Sequence, residues 1–216
     1  RNWKKFAKPW VANFEENSNL GQGFLEKIMG KKIIAIDGPA GAGKSTVARL
    51  VAKRLGYLYI DTGAMYRALT LLVMNQRISV TNEEEIIALA NESDIKLINN
   101  NGRMFVYCNG IDVTEKIRQP EVSHYVSQVA AIPGVRKRLV ELQRAMTNSG
   151  GVVMDGRDIA TKVLPHADYK FFLTASVTER ARRRYRELIE KGFKITEGEV
   201  EADIRHRDVM DSQRKV

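Results

Sequence analysis

The stretch "AIDGPAGAGKSTVARL" (35–50) sets three glycines, a lysine and two hydroxyl side chains between an apolar run and an amphipathic one. The preceding "KKIIAI" reads as a short buried strand, and "KSTVARLVAKRLG" carries apolar residues at helical spacing up to a terminating glycine. Between them, Gly38, Gly43, Lys44 and Ser45 satisfy G-x-x-x-x-G-K-[ST] in the strand, loop and helix context that motif requires. Residues without bulky side chains let successive backbone N–H groups curl around phosphate oxygens, and the helix N-terminus adds its dipole. In that setting Lys44 reaches the β and γ phosphates and Ser45 ligates magnesium. The alternative, a glycine-rich turn beside an unrelated lysine, does not account for the strand and helix on either side.

Outward from this loop the pattern keeps alternating. "YLYID" is a second strand, a helix follows at about 63–75, and the acidic "TNEEEIIALANES" reads as a short helix capped by Thr81 or Asn82. The period then changes to two. "IKLINNNGRMFVYCNGIDVT" alternates apolar and polar residues around Asn101-Gly102 and Asn109-Gly110, which predicts a small antiparallel meander inserted into the α/β scaffold. Helical patterns resume at about 121–130 and 133–148, followed by "GVVMDG" and "YKFFLTA", two short apolar strands of the buried parallel kind. After Ser176 come two charged helices around a Gly-containing turn. The expected fold is α/β with a parallel sheet and crossover helices. There is no internal repeat or low-complexity segment.

Composition bounds the partners. A chain of 216 residues, 44% hydrophobic, holds one substantial domain or two small ones. Its 35 Lys and Arg against 26 Asp and Glu give +9, which favours an anionic partner without separating nucleotide, nucleic acid and membrane surface. One cysteine, Cys108, excludes a disulfide framework and reads as a semi-buried strand residue in a reducing compartment. No apolar segment approaches the roughly 20 residues that span a bilayer, and the N-terminus lacks the apolar centre of a secretory signal. The protein reads as cytoplasmic, with no membrane partner.

Residues 1–32 supply +4 of the net charge and place Trp3, Phe6, Trp10 and Phe14 at helix-like spacing. They read as a leader ahead of a start near Met29, with a docked or partner-binding helix as the alternative, and "NSNLGQG" (17–23) reads as a linker.

A phosphate loop leaves the reaction open. Asp155, closing "GVVMD", is the candidate second anchor for magnesium or its water shell, the alternative being a plain strand-terminal aspartate. "NKxD" and "LSGGQ" are absent, which leaves a small kinase or a motor fragment. Transfer between two phosphates needs positive side chains to offset repulsion. Arg67, Arg136 and Arg157 follow early helix, "PGV" and strand-end signals, Arg180, Arg183 and Arg184 fall at i, i+3, i+4, and Arg207, Asp211 and Arg214 at i, i+4, i+7. Each alone is as readily a solvated surface charge. Spread over several segments around the loop, they fit phosphoryl transfer under a mobile helical lid that excludes water.

Together "IDGPAGAGKST", "DTGAMYR", "SQVAAIPGVR", "DGRDIAT", "EKGF" and "RD" followed by "DSQR" resemble the bacterial cytidylate kinase family, in order from about Lys32 to the end. The resemblance implies a P-loop core (31–61 and about 150–176), a nucleotide-acceptor part with an inserted sheet (about 62–149) and a lid (about 177–214), preceded by an extension at 1–30. It implies ATP as donor, CMP or dCMP as acceptor, magnesium, no nucleic acid and a monomer. Carried over residue by residue, Gly38, Pro39, Ala40, Gly41, Ala42, Gly43, Lys44, Ser45 and Thr46 hold the ATP phosphates, while Ser45 and Asp155 serve magnesium, Asp155 directly or through water. Thr62, Tyr66, Arg67 and Arg157 face the acceptor nucleotide, and Ser127, Arg136 and Asp158 read its cytosine edge. Arg207, Asp211 and Arg214 reach sugar and phosphate from the lid side, and Lys44, Arg157, Arg180 and Arg184 are the catalytic charges. Thr62 stands where serine is common and keeps the hydroxyl. The resemblance also implies a further strand and helix beyond Val216. Rival readings are a kinase for UMP, AMP or shikimate, and a catalytically silent nucleotide- or RNA-binding module.

Overall fold

The computed structural model describes residues 30–100 and 103–212. The expected leader helix and linker, the Asn101-Gly102 turn and Arg214 lie outside the described residues.

The first half runs β1 (Ile33–Asp37), α1 (Lys44–Leu55), β2 (Leu58–Asp61), α2 (Thr62–Asn75) and α3 (Glu83–Glu92). Then come β3 (Ile95–Asn100), β4 (Arg103–Cys108), β5 (Ile111–Asp112), α4 (Pro120–Ala131) and α5 (Pro133–Ala145). The chain continues with β6 (Val152–Gly156), a π-type turn (Ile159–Val163), β7 (Tyr169–Phe172), α6 (Val177–Glu190) and α7 (Glu197–Ser212). The main sheet has the order β2-β6-β1-β7, all parallel, and β3-β4-β5 form the small antiparallel sheet.

Local chemistry fixes the boundaries. The Asp61 carboxylate caps α2 by accepting from Ala64 N at 2.9 Å, so β2 passes straight into a helix. Asn82, rather than Thr81, caps α3, whose first turn carries three glutamates on the favourable side of its dipole. Pro133 cannot continue α4 and instead starts α5, producing a tight corner between the two. Asn109 and Gly110 both have positive φ (50° and 79°), the two-residue turn that the sequence signals between β4 and β5.

α2 is the central helix. Ala64, Met65, Ala68, Leu69, Leu71 and Val73 are all buried, and they share one core with α1, α3, α5 and the inner face of the small sheet, where Val106 and Cys108 sit. Cys108 is buried, and its thiol is pushed up to about 11 by that burial and by Asp94. The helices α6 and α7 have a separate small core of Ala181, Leu188, Val200 and Ile204.

One strand expectation is corrected. β6 is buried throughout, as a central parallel strand should be, but every residue of β7 is exposed, Phe172 to 71%. β7 occupies the sheet edge, paired with β1 alone, and neither face of the strand is covered by the described residues.

Candidate active site

All four parallel strands deliver their carboxyl ends to one cavity of about 920 Å³, the place where open parallel sheets bind ligands. Its lining includes Asp61 and Thr62 after β2, Asp155 to Asp158 after β6, Leu173 after β7, and the loop 40–46.

At the end of β1 the glycine loop passes the segment after β7 so closely that a Cβ on Gly38 would stand 1.9 Å from the Leu173 carbonyl oxygen. Gly43 precedes α1 with φ 93°, and no side chain caps it, which leaves first-turn N–H groups of α1 for an anion. Lys44 Nζ donates to Pro39 O at 2.8 Å, holding the loop closed over its own base. Burial first, and then the Arg157 charge, pull Lys44 down to about 7. Asp155 sits beneath. It accepts from Ser45 Oγ (3.0 Å) and from Tyr59 OH (2.9 Å), and its main-chain oxygen accepts from Thr62 Oγ1 (2.7 Å). Burial and the facing Asp61 push its carboxyl up to about 6.

A hydroxyl and a carboxylate in contact offer only hard oxygen donors. No group of three or more His, Cys, Asp or Glu suited to a metal occurs among the described residues. A metal here would therefore take most of its ligands from phosphates and water, which is how magnesium is held. Ser45 and Asp155 fit that ion.

Beside the loop, guanidinium groups crowd one place. Arg157 donates to Asp211 Oδ2 (2.6 Å) and reaches Gly38 O (3.4 Å), and Arg67 pairs with Asp61 at 3.1 Å. Arg207, 14% exposed at its side chain, is lowered to about 10 by burial, then by Arg157, with Arg67 adding to the repulsion. Buried Nε atoms of Arg67 and Arg207 have no hydrogen-bond partner among the described residues. Lys44, Arg67, Arg157 and Arg207 thus gather beside the carboxylates of Asp61, Asp155 and Asp211, and an anion entering there can draw on the donors those ion pairs leave over. Tyr66 lines the same wall.

At the far end, Asp37 caps the π-type turn by accepting from Ile159 N (2.7 Å) and Ala160 N (2.9 Å). This fixes the start of the turn at Asp158, whose carboxylate accepts from Arg136 of α5. Ser127 of α4, 4% exposed, lines the cavity beside them.

The arginines of α6 divide. Arg183 and Arg184 line the cavity, each bonded to a glutamate of its own helix, Glu179 and Glu187. Arg180 is buried away from it. Its guanidinium grips both oxygens of Asp208 in α7 (3.0 and 2.6 Å), Ala40 O of the glycine loop (3.0 Å) and Ala175 O (3.0 Å).

Sequence reasoning missed Asp37, Tyr59, Asp61, Gln143 and Asp208. Tyr59 and Asp61 alternate along β2, so a strand period counted back from the helix cap points to both. Gln143 interrupts the buried stripe of α5, a polar residue at an apolar position.

Two anion places sharing one cavity fit a protein that brings two phosphorylated molecules together, and the glycine loop on this sheet makes it a P-loop phosphotransferase. The cytidylate kinase family model matches residues 34–216, and the chain belongs to that family. It is 56% identical over 183 residues to the cytidylate kinase of Desulfitobacterium hafniense, covering 85% of this chain and 78% of the relative. The cytidylate kinase of Caldanaerobacter subterraneus subsp. tengcongensis is 57% identical over 182 residues (84% and 80%), and that of Bacillus subtilis 50% identical over 189 (87% and 84%).

Proposed function

We propose that this cavity carries out ATP-dependent phosphorylation of CMP and dCMP, with the donor phosphates on the loop 38–46 and the acceptor phosphate among Arg67, Arg157 and Arg207. The observation that carries this reading is the convergence of Lys44, Arg157 and Arg207, close enough that Arg157 lowers the pKa of both of the others. Asp61 and Asp211 hold Arg67 and Arg157 in place, and an acceptor phosphate arriving there relieves the repulsion among the cations.

An acceptor phosphate oxygen, ionised at neutral pH, attacks the γ phosphorus in line as the bond to the β-bridging oxygen breaks, and ADP leaves. No general base is required, so the protein supplies position and positive charge. Ser45 and Asp155 would hold magnesium, Asp155 directly or through water, and the ion would supply charge neutralisation at the phosphates. Thr62 and Tyr66 face the acceptor, and Asp211 accepts from its ribose hydroxyls. Arg136, Asp158 and Ser127 read the base: cytosine offers an amino donor at C4 and an acceptor at N3, which an aspartate and an arginine complement.

The division of labour follows. Residues 31–61 and 150–176 form the fixed core, 62–149 the acceptor part, and 177–214 a lid in which Arg183 and Arg184 meet the transferring phosphate. Arg180 is the latch tying that lid to the loop at Ala40. No described helix is long and apolar enough to cross a membrane, and we place the enzyme in the cytoplasm as a monomer.

A coupled assay with magnesium, ATP and CMP, dCMP, UMP or AMP tests the acceptor. CMP and dCMP should have the highest kcat/KM. A preference for AMP, or for UMP over CMP, would overturn the base-reading assignment.

A further inference from the structure

Gln143 lies on the buried stripe of α5, seven residues and two turns beyond Arg136. It is 1% exposed, and it lines the same cavity as Ser127, Arg136 and Asp158. Neither its Oε1 nor its Nε2 has a hydrogen-bond partner among the described residues. Its neighbours on the stripe, Val135 and Leu139, are apolar, and a methionine of the same length would fill the position without stranding a buried donor and acceptor. An amide kept there at that cost is matched to something that enters the cavity.

We propose that Gln143 is a further base-recognition residue, hydrogen-bonding the C4 substituent of the acceptor pyrimidine beside Asp158. The inference rests on the acceptor reading above, which puts the base between Arg136 and Asp158. A C4 substituent has two hydrogen-bonding positions: two hydrogens on the amino group of cytosine, two lone pairs on the oxygen of uracil. With Asp158 at one, Gln143 takes the other. Asp158 can only accept and Arg136 only donate, so that pair fixes the polarity of the base. A glutamine amide does both, and rotation about its last bond exchanges its oxygen and nitrogen. Oε1 accepts from cytosine, and Nε2 donates to uracil after the amide turns over. Gln143 thus adds affinity for either pyrimidine, while Asp158 discriminates between them.

The test compares Gln143→Met, Gln143→Glu and Asp158→Ala in the full chain. Gln143→Met should weaken CMP and UMP together, each by about tenfold in dissociation constant, with their ratio unchanged. KM for ATP should stay within about twofold. Gln143→Glu keeps an acceptor but has no donor to turn toward uracil, so the CMP to UMP ratio should rise by about tenfold. Without nucleotide, Gln143→Met should melt no lower than wild type, while the rise in Tm with saturating CMP shrinks. Unchanged CMP and UMP affinities in Gln143→Met, or a lower Tm with an undiminished CMP shift, would overturn the inference, the latter by making the amide structural. Asp158→Ala separates the two levels. If it narrows the CMP to UMP ratio while Gln143→Met does nothing, only Gln143 is misassigned. If neither variant alters CMP binding, the base lies elsewhere and the acceptor reading falls too.

Discussion

The phosphate end of the cavity and the helical pair α6–α7 that borders it are built in opposite ways. At the phosphate end the key polar side chains are locked into the ends of the parallel strands: Lys44 on Pro39, Ser45 and Tyr59 on Asp155, and Thr62 on the Asp155 main chain. The strands beneath are packed into the large central cores, so this half can aim charge without reorganising. The helical pair has only four buried apolar residues of its own. Its polar ties to the rest include an ion pair, Arg157 to Asp211, and a hydrogen bond from Arg180 to the Ala40 carbonyl. A unit with its own core and polar attachments can swing as one body, and a phosphate arriving in the cavity competes with Asp211 for Arg157. Fixed aim lies on one side and releasable attachment on the other.

Breaking the fixed side should cost most. If Lys44 stabilises the transferring phosphate as proposed, Lys44→Ala should lower kcat on the order of a hundredfold or more. The fold should persist, because the lysine is partnered only by the Pro39 carbonyl and its burial opposes its charge. Steady-state kinetics and a thermal melt check both halves of the statement. Near-normal turnover would remove the loop from the chemistry.

Loosening the helical pair around its Arg180 latch should cost less and elsewhere. Asp208→Asn leaves the 4%-exposed Arg180 guanidinium with no anionic partner, a loss of about 2–3 kcal/mol for the helical pair rather than for the sheet. We expect kcat to fall by about tenfold and the 177–212 segment to become protease-sensitive, while KM for CMP rises by less. A fall in CMP affinity with kcat intact would make the latch a part of ground-state binding.

The same division governs how much could be read in advance. The glycine loop, the Asp155 anchor and the alternating α/β pattern are local signals, because backbone geometry and strand period write themselves into neighbouring residues. Lys44, Ser45 and Asp155 were legible for that reason. Arg180 was not. Its helical spacing from Arg183 and Arg184 marks a charged face, but which member turns inward depends on Asp208, 28 residues later and on another helix. β7 misled in the opposite sense: "YKFF" has a buried strand's composition, and only sheet order reveals the exposed edge. Gln143 needed the register of α5 against the cavity, which periodicity alone suggests and packing decides.

The smallest expected effect returns to the phosphate end and sharpens the claim that burial sets its electrostatics. Burial and Arg157 hold Lys44 down to about 7, whereas nucleotide phosphates beside the ammonium must raise it. Above about pH 7 the lysine is therefore largely neutral before ATP binds and charged afterwards, so binding takes up a proton. ATP affinity should fall as pH rises through that window, by at most about tenfold per pH unit, and show no such slope from this group below it. Asp155, pushed up to about 6, and Arg207, lowered to about 10, keep their charges between those values and do not contribute. Calorimetric titration of magnesium-ATP at about pH 8, in two buffers of different ionisation enthalpy, reads the proton number directly. We expect a value approaching one in the wild type and near zero in Lys44→Met. No uptake in the wild type would mean that Lys44 is already charged before the nucleotide arrives, and that the neighbouring carboxylates outweigh burial in setting its state.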